Sequence, residues 1–171
     1  MALIAHRYDS PLGPMLALCS PAGVCLLEFV GQGGVEREQA QVEAARDGPA
    51  VAGHNVLTEQ LGRELAEYFE GQRQRFDVPL DLVGTPFQRR VWQALLAIPY
   101  GRTWSYGQQA VHIGQPTATR AVAAANGQNK VSIVVPCHRV VGSDGTLTGY
   151  GGGLPRKQWL LALESGERTL I

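Results

Sequence analysis

Nowhere do the 171 residues hold an apolar run approaching the roughly 18 needed to cross a bilayer, so no transmembrane helix is expected. The start, Met1 to Arg7, has no basic segment followed by an apolar stretch, and no secretory signal is expected either. Cysteine is scarce. Cys19, Cys25 and Cys137 make an odd count without the spacing of a disulfide framework, and a reducing, cytoplasmic setting is the natural reading. Internal repeats and low-complexity tracts are absent. Net charge is also lacking, which at first argues against a polyanionic partner.

The distribution of charge says otherwise. Residues 1–84 hold six arginines against twelve acids, a net of −6, whereas residues 85–171 hold nine bases against three acids, a net of +6. One half suited to a polyanion and one acidic half would give this asymmetry. The length allows one core, or a smaller N-terminal and a larger C-terminal domain. Gly84-Thr85-Pro86 marks the boundary, so domains of 1–84 and 85–171 are expected.

In the first domain, Met15–Cys19 and Val24–Phe29 flank the turn signal Ser20-Pro21-Ala22-Gly23 and predict a hairpin. Residues 31–53 read as loop with one short helix. Leu57, Leu61, Leu65 and Phe69, with Tyr68 beside them, predict an amphipathic helix from about Asn55 to Glu70, ended at Gly71. Phe76–Leu82 alternates apolar and polar residues and predicts a short edge strand, placed at an edge by Pro79.

In the second domain, Thr85 as N-cap and Pro86 at the first helical position open a helix whose apolar stripe is Phe87, Val91, Trp92, Leu95 and Leu96. Ser105–Val111, a turn through Gly114, and Thr117–Asn126 have the pattern of a helix-turn-helix. The second of these helices carries Arg120 amid Ala and Thr, with no Asn, Gln or Lys to read bases in a major groove. A smooth small-residue face with one long cation suits a narrow groove; packing of the alanines on a neighbouring helix is the alternative. Lys130–Val135 is a β-branched run that predicts a buried strand, running into Pro136-Cys137-His138-Arg139-Val140-Val141. A thiolate is the nucleophilic form of cysteine, and His138 is a candidate base if it reaches the sulfur directly or through one water. Structural burial of Cys137 is the competing reading, and burial as inert core is the expectation for Cys19 and Cys25. Residues 142–153 form a Gly-rich loop, but no Walker Lys-Ser/Thr follows it, so nucleotide-phosphate binding is rejected in favour of close approach to a flat ligand. The last helix starts at Pro155, with Trp159, Leu160 and Leu163 as its expected buried stripe. Glu164, near its end, is either solvated or orients His138.

Pro136-Cys137-His138-Arg139-Val140-Val141 closely resembles the active-site motif of the O6-alkylguanine-DNA alkyltransferases. The likeness extends through Gly84-Thr85-Pro86-Phe87-Gln88, Ile98-Pro99-Tyr100-Gly101, Ser105-Tyr106-Gly107, Thr119-Arg120-Ala121-Val122, Asn126-Gly127, Asn129 and Tyr150-Gly151-Gly152-Gly153, and more loosely to Asp9-Ser10-Pro11-Leu12-Gly13. The resemblance implies an α/β N-terminal domain with an antiparallel, RNase H-like sheet plus helix, and a mainly α C-terminal domain with a helix-turn-helix. It also implies irreversible, single-turnover transfer of an alkyl group from O6 of guanine in double-stranded DNA to Cys137. In that scheme His138 takes the thiol proton through a water, Glu164 orients His138, and Tyr106 donates to guanine N3 and lies against the DNA phosphate. Arg120 fills the gap left by the flipped nucleotide, with Thr119 and Ala121 beside it in the minor groove. Asn129 and Arg139 support the site, the carbonyls of Cys137 and Val140 accept from the guanine amino group, and Tyr150 and Gly151 line the pocket. A monomer without cofactor is implied. Some relatives bind zinc in the N-terminal domain, but His6, Cys19, Cys25 and His54 do not reproduce that ligand pattern, so no metal is expected. Thr119 and Ala123 are bulkier than the family's usual residues, as is Trp104. Two rivals remain: a lesion-sensing relative that transfers nothing, in which the reactive Cys is typically Trp, and a Cys-His hydrolase of small thioesters or peptides.

Overall fold

The computed structural model describes residues 3–166, which divide into two compact units between Val83 and Gly84. In the first unit, β1 (Ile4–Tyr8), β2 (Met15–Ser20) and β3 (Gly23–Phe29) form an antiparallel meander with the expected hairpin at its centre. The sheet is not purely antiparallel. A fourth strand, β4 (Val51–Ala52), lies parallel to β1, giving the order β3-β2-β1-β4. Two helices cover the sheet: α1 (Val35–Ala45) against β3 and α2 (Val56–Phe69) against β2. Every residue of β3 is buried as a result. Asn55 caps α2 through a reciprocal bond with Thr58, and Gly71 leaves it with a positive φ of 77° that a side chain would strain.

The segment 76–82 is not a strand. It touches β3 at one bridge, Val24 with Leu80, flanked by bonds from Val24 N to Pro79 O and from Asp81 N to Val24 O. Its other donors are diverted: Glu64 Oε1 accepts from the amides of Asp77 and Val78, and Pro79 has none to give. Asp81 then anchors the segment, receiving Ser20 Oγ at 2.6 Å and a two-pronged bond from Arg46 at 2.8 and 3.0 Å.

The second unit is mainly helical. Its elements are α3 (Pro86–Leu95), β5 (Trp104–Ser105), α4 (Tyr106–His112), α5 (Thr119–Gly127), a 3-10 turn (Cys137–Arg139), β6 (Val140–Val141) and α6 (Leu154–Glu164). Thr85 and Ser105 cap α3 and α4 by the same reciprocal device, each paired with a Gln three residues on. Helix α3 buries Val91, Trp92, Ala94 and Leu95, and leaves Leu96, at its C-cap, exposed. Trp92 Nε1 donates to the Ala125 carbonyl, fastening α3 to α5. Helices α4 and α5 are joined by a buried amide pair, Gln109 and Asn126, whose side chains exchange bonds of 3.0 and 2.6 Å. That exchange satisfies both groups in the interior and ties the two helices together. Beside it, β5 and β6 pair in parallel, with Trp104 opposite Val140 and Ser105 opposite Val141.

Candidate active site

The apolar run 130–135 does not extend into a strand. It coils, because Asn129 gathers it: its Nδ2 donates to the carbonyls of Val135 (2.8 Å) and Val131 (3.4 Å), and its Oδ1 accepts from Val131 N (3.0 Å). Bonds from Val134 N to Ser132 O and from Val135 N to Val131 O close the coil, which holds Ile133 at a φ of 71°. A β-branched residue rarely adopts that conformation, so burial of the Ile133 side chain must outweigh the strain. The chain leaves the coil directly into the Cys137–Arg139 turn.

Cys137 is the partly accessible thiol; Cys19 and Cys25 lie fully buried in the first unit. Burial pushes those two thiols up, to about 12 and about 11, which leaves them inert at neutral pH. The 3-10 turn is what lets adjacent residues serve one centre, since on a strand Cys137 and His138 would point to opposite faces.

His138 is fully buried, and its Nε2 lies 2.7 Å from Glu164 Oε2. The same carboxylate receives Arg139 Nε at 2.7 Å and Nη2 at 3.1 Å, while Arg139 Nη1 donates to the Ile98 carbonyl at 2.8 Å. Burial alone would raise the Glu164 carboxyl, but hydrogen bonds from His138 and Arg139, with the charge of the Arg139 guanidinium, outweigh it and hold it down to about 2. Burial, more than the partly offsetting carboxylate, pulls His138 below its ordinary value. The pair therefore rests as a carboxylate and a neutral imidazole. Nε2 carries the proton toward Glu164, and Nδ1, which has no hydrogen-bond partner among the described residues, presents its lone pair.

Tyr106, first residue of α4, follows β5 directly, so the β5–β6 pairing carries it to the side of the Cys137 segment. Its hydroxyl donates to the Thr148 carbonyl at 3.1 Å, within the Gly-rich loop 142–153. Tyr150 is half-buried and Gly151 exposed in that loop. The carbonyl of Cys137 accepts from Val140 N, and that of Val140 accepts from Lys157 Nζ at 2.6 Å. Along α5, Arg120, Ala121 and Ala124 are exposed and Thr119 is half-buried, whereas Val122, Ala125 and Asn126 face inward. The small residues thus divide: Ala125 packs inside, and Ala121 and Ala124 form an open face around Arg120.

The buried stripe of α6 differs from the expected one. Lys157, Leu160 and Glu164 face inward, while Trp159 and Leu163 are only half-buried. Lys157 was not a sequence candidate, although its spacing from Leu160 and Glu164 places all three on one helix face. Among the described residues no group of three or more His, Cys, Asp or Glu could hold a metal ion. No helix there is long and apolar enough to cross a membrane.

Two family models run along nearly the whole chain. The DNA binding domain of 6-O-methylguanine DNA methyltransferase matches residues 86–166, and the ribonuclease-like domain of the same protein matches residues 3–82. A methylated-DNA–protein-cysteine methyltransferase from Mycolicibacterium paratuberculosis is 63% identical over 163 residues, 95% of this chain and 93% of that protein. The chain belongs to the methylated-DNA–protein-cysteine methyltransferase family. A family member from Methanosarcina acetivorans is 42% identical over 158 residues, 92% of this chain and 95% of its own. The crystal structure of OGT from Mycobacterium tuberculosis in complex with DNA superposes with a TM-score of 0.83 at 42% identity, covering 95% of this chain and 93% of that one. The mixed sheet with its helices is accordingly the ribonuclease-like domain of the methyltransferase family, and the helical unit its DNA-binding domain.

Proposed function

We propose that this methyltransferase reverses alkylation damage directly, moving an alkyl group from O6 of guanine in duplex DNA onto Cys137 in a single, irreversible event. The observation that carries the reading is the Cys137-His138-Glu164-Arg139 constellation: a partly accessible thiol followed in the chain by a buried, neutral imidazole whose unpartnered Nδ1 is set by a doubly held carboxylate on Nε2.

The chemistry follows from that arrangement. His138 Nδ1 takes the Cys137 proton through a water, and the thiolate attacks the alkyl carbon in line. The S–C bond forms as the C–O6 bond breaks, and its electron pair returns to guanine, which Tyr106 protonates or hydrogen-bonds at N3 as it leaves. The thioether formed on Cys137 is stable to water, so the site is consumed. Chemistry at O6 requires the base to leave the stack, at a cost of a few kcal/mol. Arg120, standing exposed on a small-residue face of α5, fills the vacated position in the minor groove, and Thr119 and Ala121 contact the backbone beside it. Asn129 and Arg139 hold the turn that presents the sulfur, and Val140, Tyr150 and Gly151 border the base. A reducing, cytoplasmic compartment that keeps Cys137 a thiol suits this chemistry.

The deciding experiment is intact-protein mass after incubation with a duplex carrying one O6-methylguanine, beside a Cys137→Ser control. One methyl-sized gain per molecule, mapped to Cys137 and absent in the control, is expected. No gain with tight binding of the damaged duplex would instead favour a lesion sensor.

A further inference from the structure

The Tyr106 hydroxyl meets one residue through two bonds, and the transfer scheme above gives that residue no role. It donates to the Thr148 carbonyl at 3.1 Å, and Thr148 Oγ1 donates back to it at 3.4 Å. The direction of each bond follows from the proton count. A phenol has a single proton, here given to the carbonyl, so toward the Thr148 hydroxyl its oxygen can only accept. Tyr106 opens α4 and Thr148 lies in the Gly-rich loop, so the pair is made by tertiary structure alone. Thr148 is exposed, and neither bond is needed to satisfy a group cut off from water. Gly149 follows at a φ of 47°, and a Cβ built on it would lie 3.7 Å from the same phenolic oxygen. The loop therefore reaches Tyr106 with nothing bulkier than Thr148 between them.

We propose that Thr148 is a positioning residue for the alkyl transfer: its side-chain hydroxyl, donating to the Tyr106 oxygen, holds that phenol and sustains it as the donor to guanine N3. The proposal rests on Cys137 accepting the alkyl group and on Tyr106 serving N3. The two bonds have different fates in that step. To donate to N3, Tyr106 must withdraw its proton from the Thr148 carbonyl, which is not orphaned because Lys157 Nζ also donates to it at 2.7 Å. The bond from Thr148 Oγ1 needs no such exchange, since it ends on a lone pair of the phenolic oxygen. As the C–O6 pair returns to guanine, N3 draws the Tyr106 proton toward itself and negative charge builds on that oxygen. Hydrogen bonds to a charged acceptor are roughly twice as strong as neutral ones, so the Thr148 bond gains strength as the alkyl group leaves. At 3.4 Å it is long for two hydroxyls, and bonds at reacting groups commonly tighten only as charge develops. The protons balance: the Cys137 proton rests on His138, guanine keeps the C–O6 pair, and the Tyr106 proton lies between its oxygen and N3.

The test is single-turnover methyl transfer from two duplexes, one carrying O6-methylguanine and one O6-methyl-3-deazaguanine. In the second a C–H replaces N3, so Tyr106 has nothing to donate to. Wild type, Thr148→Val and Thr148→Ser are compared, with binding of an undamaged duplex as the check of folding. Val keeps the branched shape and the backbone carbonyl but loses the donor, and Ser keeps the donor. Thr148→Val should be about tenfold slower than wild type on O6-methylguanine and within about twofold of it on the deaza base. Thr148→Ser should match wild type on both. Wild type itself should be slower on the deaza base. In a Tyr106→Phe background, Thr148→Val should add no further loss, because the two side chains act as one unit. A purely structural part in the loop would slow transfer from both duplexes equally. That result, no loss on either duplex, an additive loss in Tyr106→Phe, or a wild type indifferent to N3 would overturn the proposal. If Thr148→Val does not bind duplex, Thr148→Ala decides by the same comparison. Failure of the wild type to take a methyl group from either duplex would sink the transfer reaction and this proposal with it, whereas wild-type transfer with a loss independent of N3 removes only the role of Thr148.

Discussion

Replacing Glu164 by Gln puts the catalytic reading under direct strain. The carboxylate accepts three bonds, from His138 Nε2, Arg139 Nε and Arg139 Nη2, in a site where its side chain is 1% exposed. A carboxamide has one oxygen to accept with, and its amino group must face a donor. Arg139, itself nearly buried, loses its counter-charge. Removing one partner of such a buried pair costs roughly 3–5 kcal/mol, and the retained amide oxygen should keep the loss near ~3 kcal/mol. The kinetic effect is separate. A carboxamide can present either its oxygen or its amino group to Nε2, so the His138 proton is no longer fixed there and Nδ1 is no longer reliably the acceptor. Loss of a general base slows a reaction by roughly 10²–10⁴-fold. Urea unfolding gives the first quantity, and single-turnover methyl transfer from an O6-methylguanine duplex, below the unfolding midpoint, gives the second. A variant within threefold of the wild-type rate, and destabilised by less than ~1 kcal/mol, would refute the argument that Glu164 anchors both His138 and Arg139.

Acid should destabilise the second unit in two stages. Both folded-state shifts are downward, so the stability they confer is present at neutral pH and drains as pH falls. The unfolded chain takes up the His138 proton below its ordinary 6.5, and then the Glu164 proton between 4.5 and about 2. The Glu164 part is on the order of 3 kcal/mol, and flat stability from pH 7 to pH 3 by urea titration would contradict it. Methyl transfer should likewise persist as pH drops through 6.5, because the base stays neutral below that value. Arg120→Ala should leave stability unchanged, since the side chain is exposed, yet slow repair of duplex DNA by about 10–100-fold. The same variant should react normally with the free alkylated base, and an equal loss on both substrates would remove Arg120 from the flipping step. Asn129→Ala deletes all three bonds that coil the 130–135 segment and should cost ~2–4 kcal/mol, visible as a lower urea midpoint.

Much of the fold could be read from local rules because it is decided locally. The caps at Asn55, Thr85 and Ser105 depend on side chains reaching amides three residues away, and the hairpin at residues 20–23 on a short turn. The same holds for the two helices around Gly114. Two strand-like segments fail to become strands for one physical reason. Segments 76–82 and 130–135 have the composition of strands, but a strand exists only if its backbone finds a partner. Glu64 and Asn129 took those backbone groups first. On α6 apolarity does not decide which face is buried: the interior there is polar, and Lys157 and Glu164 take inward places in preference to Trp159 and Leu163.

Of the site, the sequence by itself determined the reagents: one thiol outside the apolar hairpin, an adjacent imidazole, a lone arginine on a small-residue helix and a Gly-rich loop. Which reagents meet was decided by the tertiary structure. A 3-10 turn brings His138 and Arg139 onto one carboxylate twenty-five residues and more away, with bonds of 2.7 Å from each. The parallel pairing of β5 and β6 delivers Tyr106 from a different stretch of chain to the same place. Protonation states were decided there too. Glu164 is a carboxylate, His138 a neutral imidazole and Lys157 a donor to backbone carbonyls because burial makes every uncompensated charge expensive, and only the packed fold says which partner compensates it.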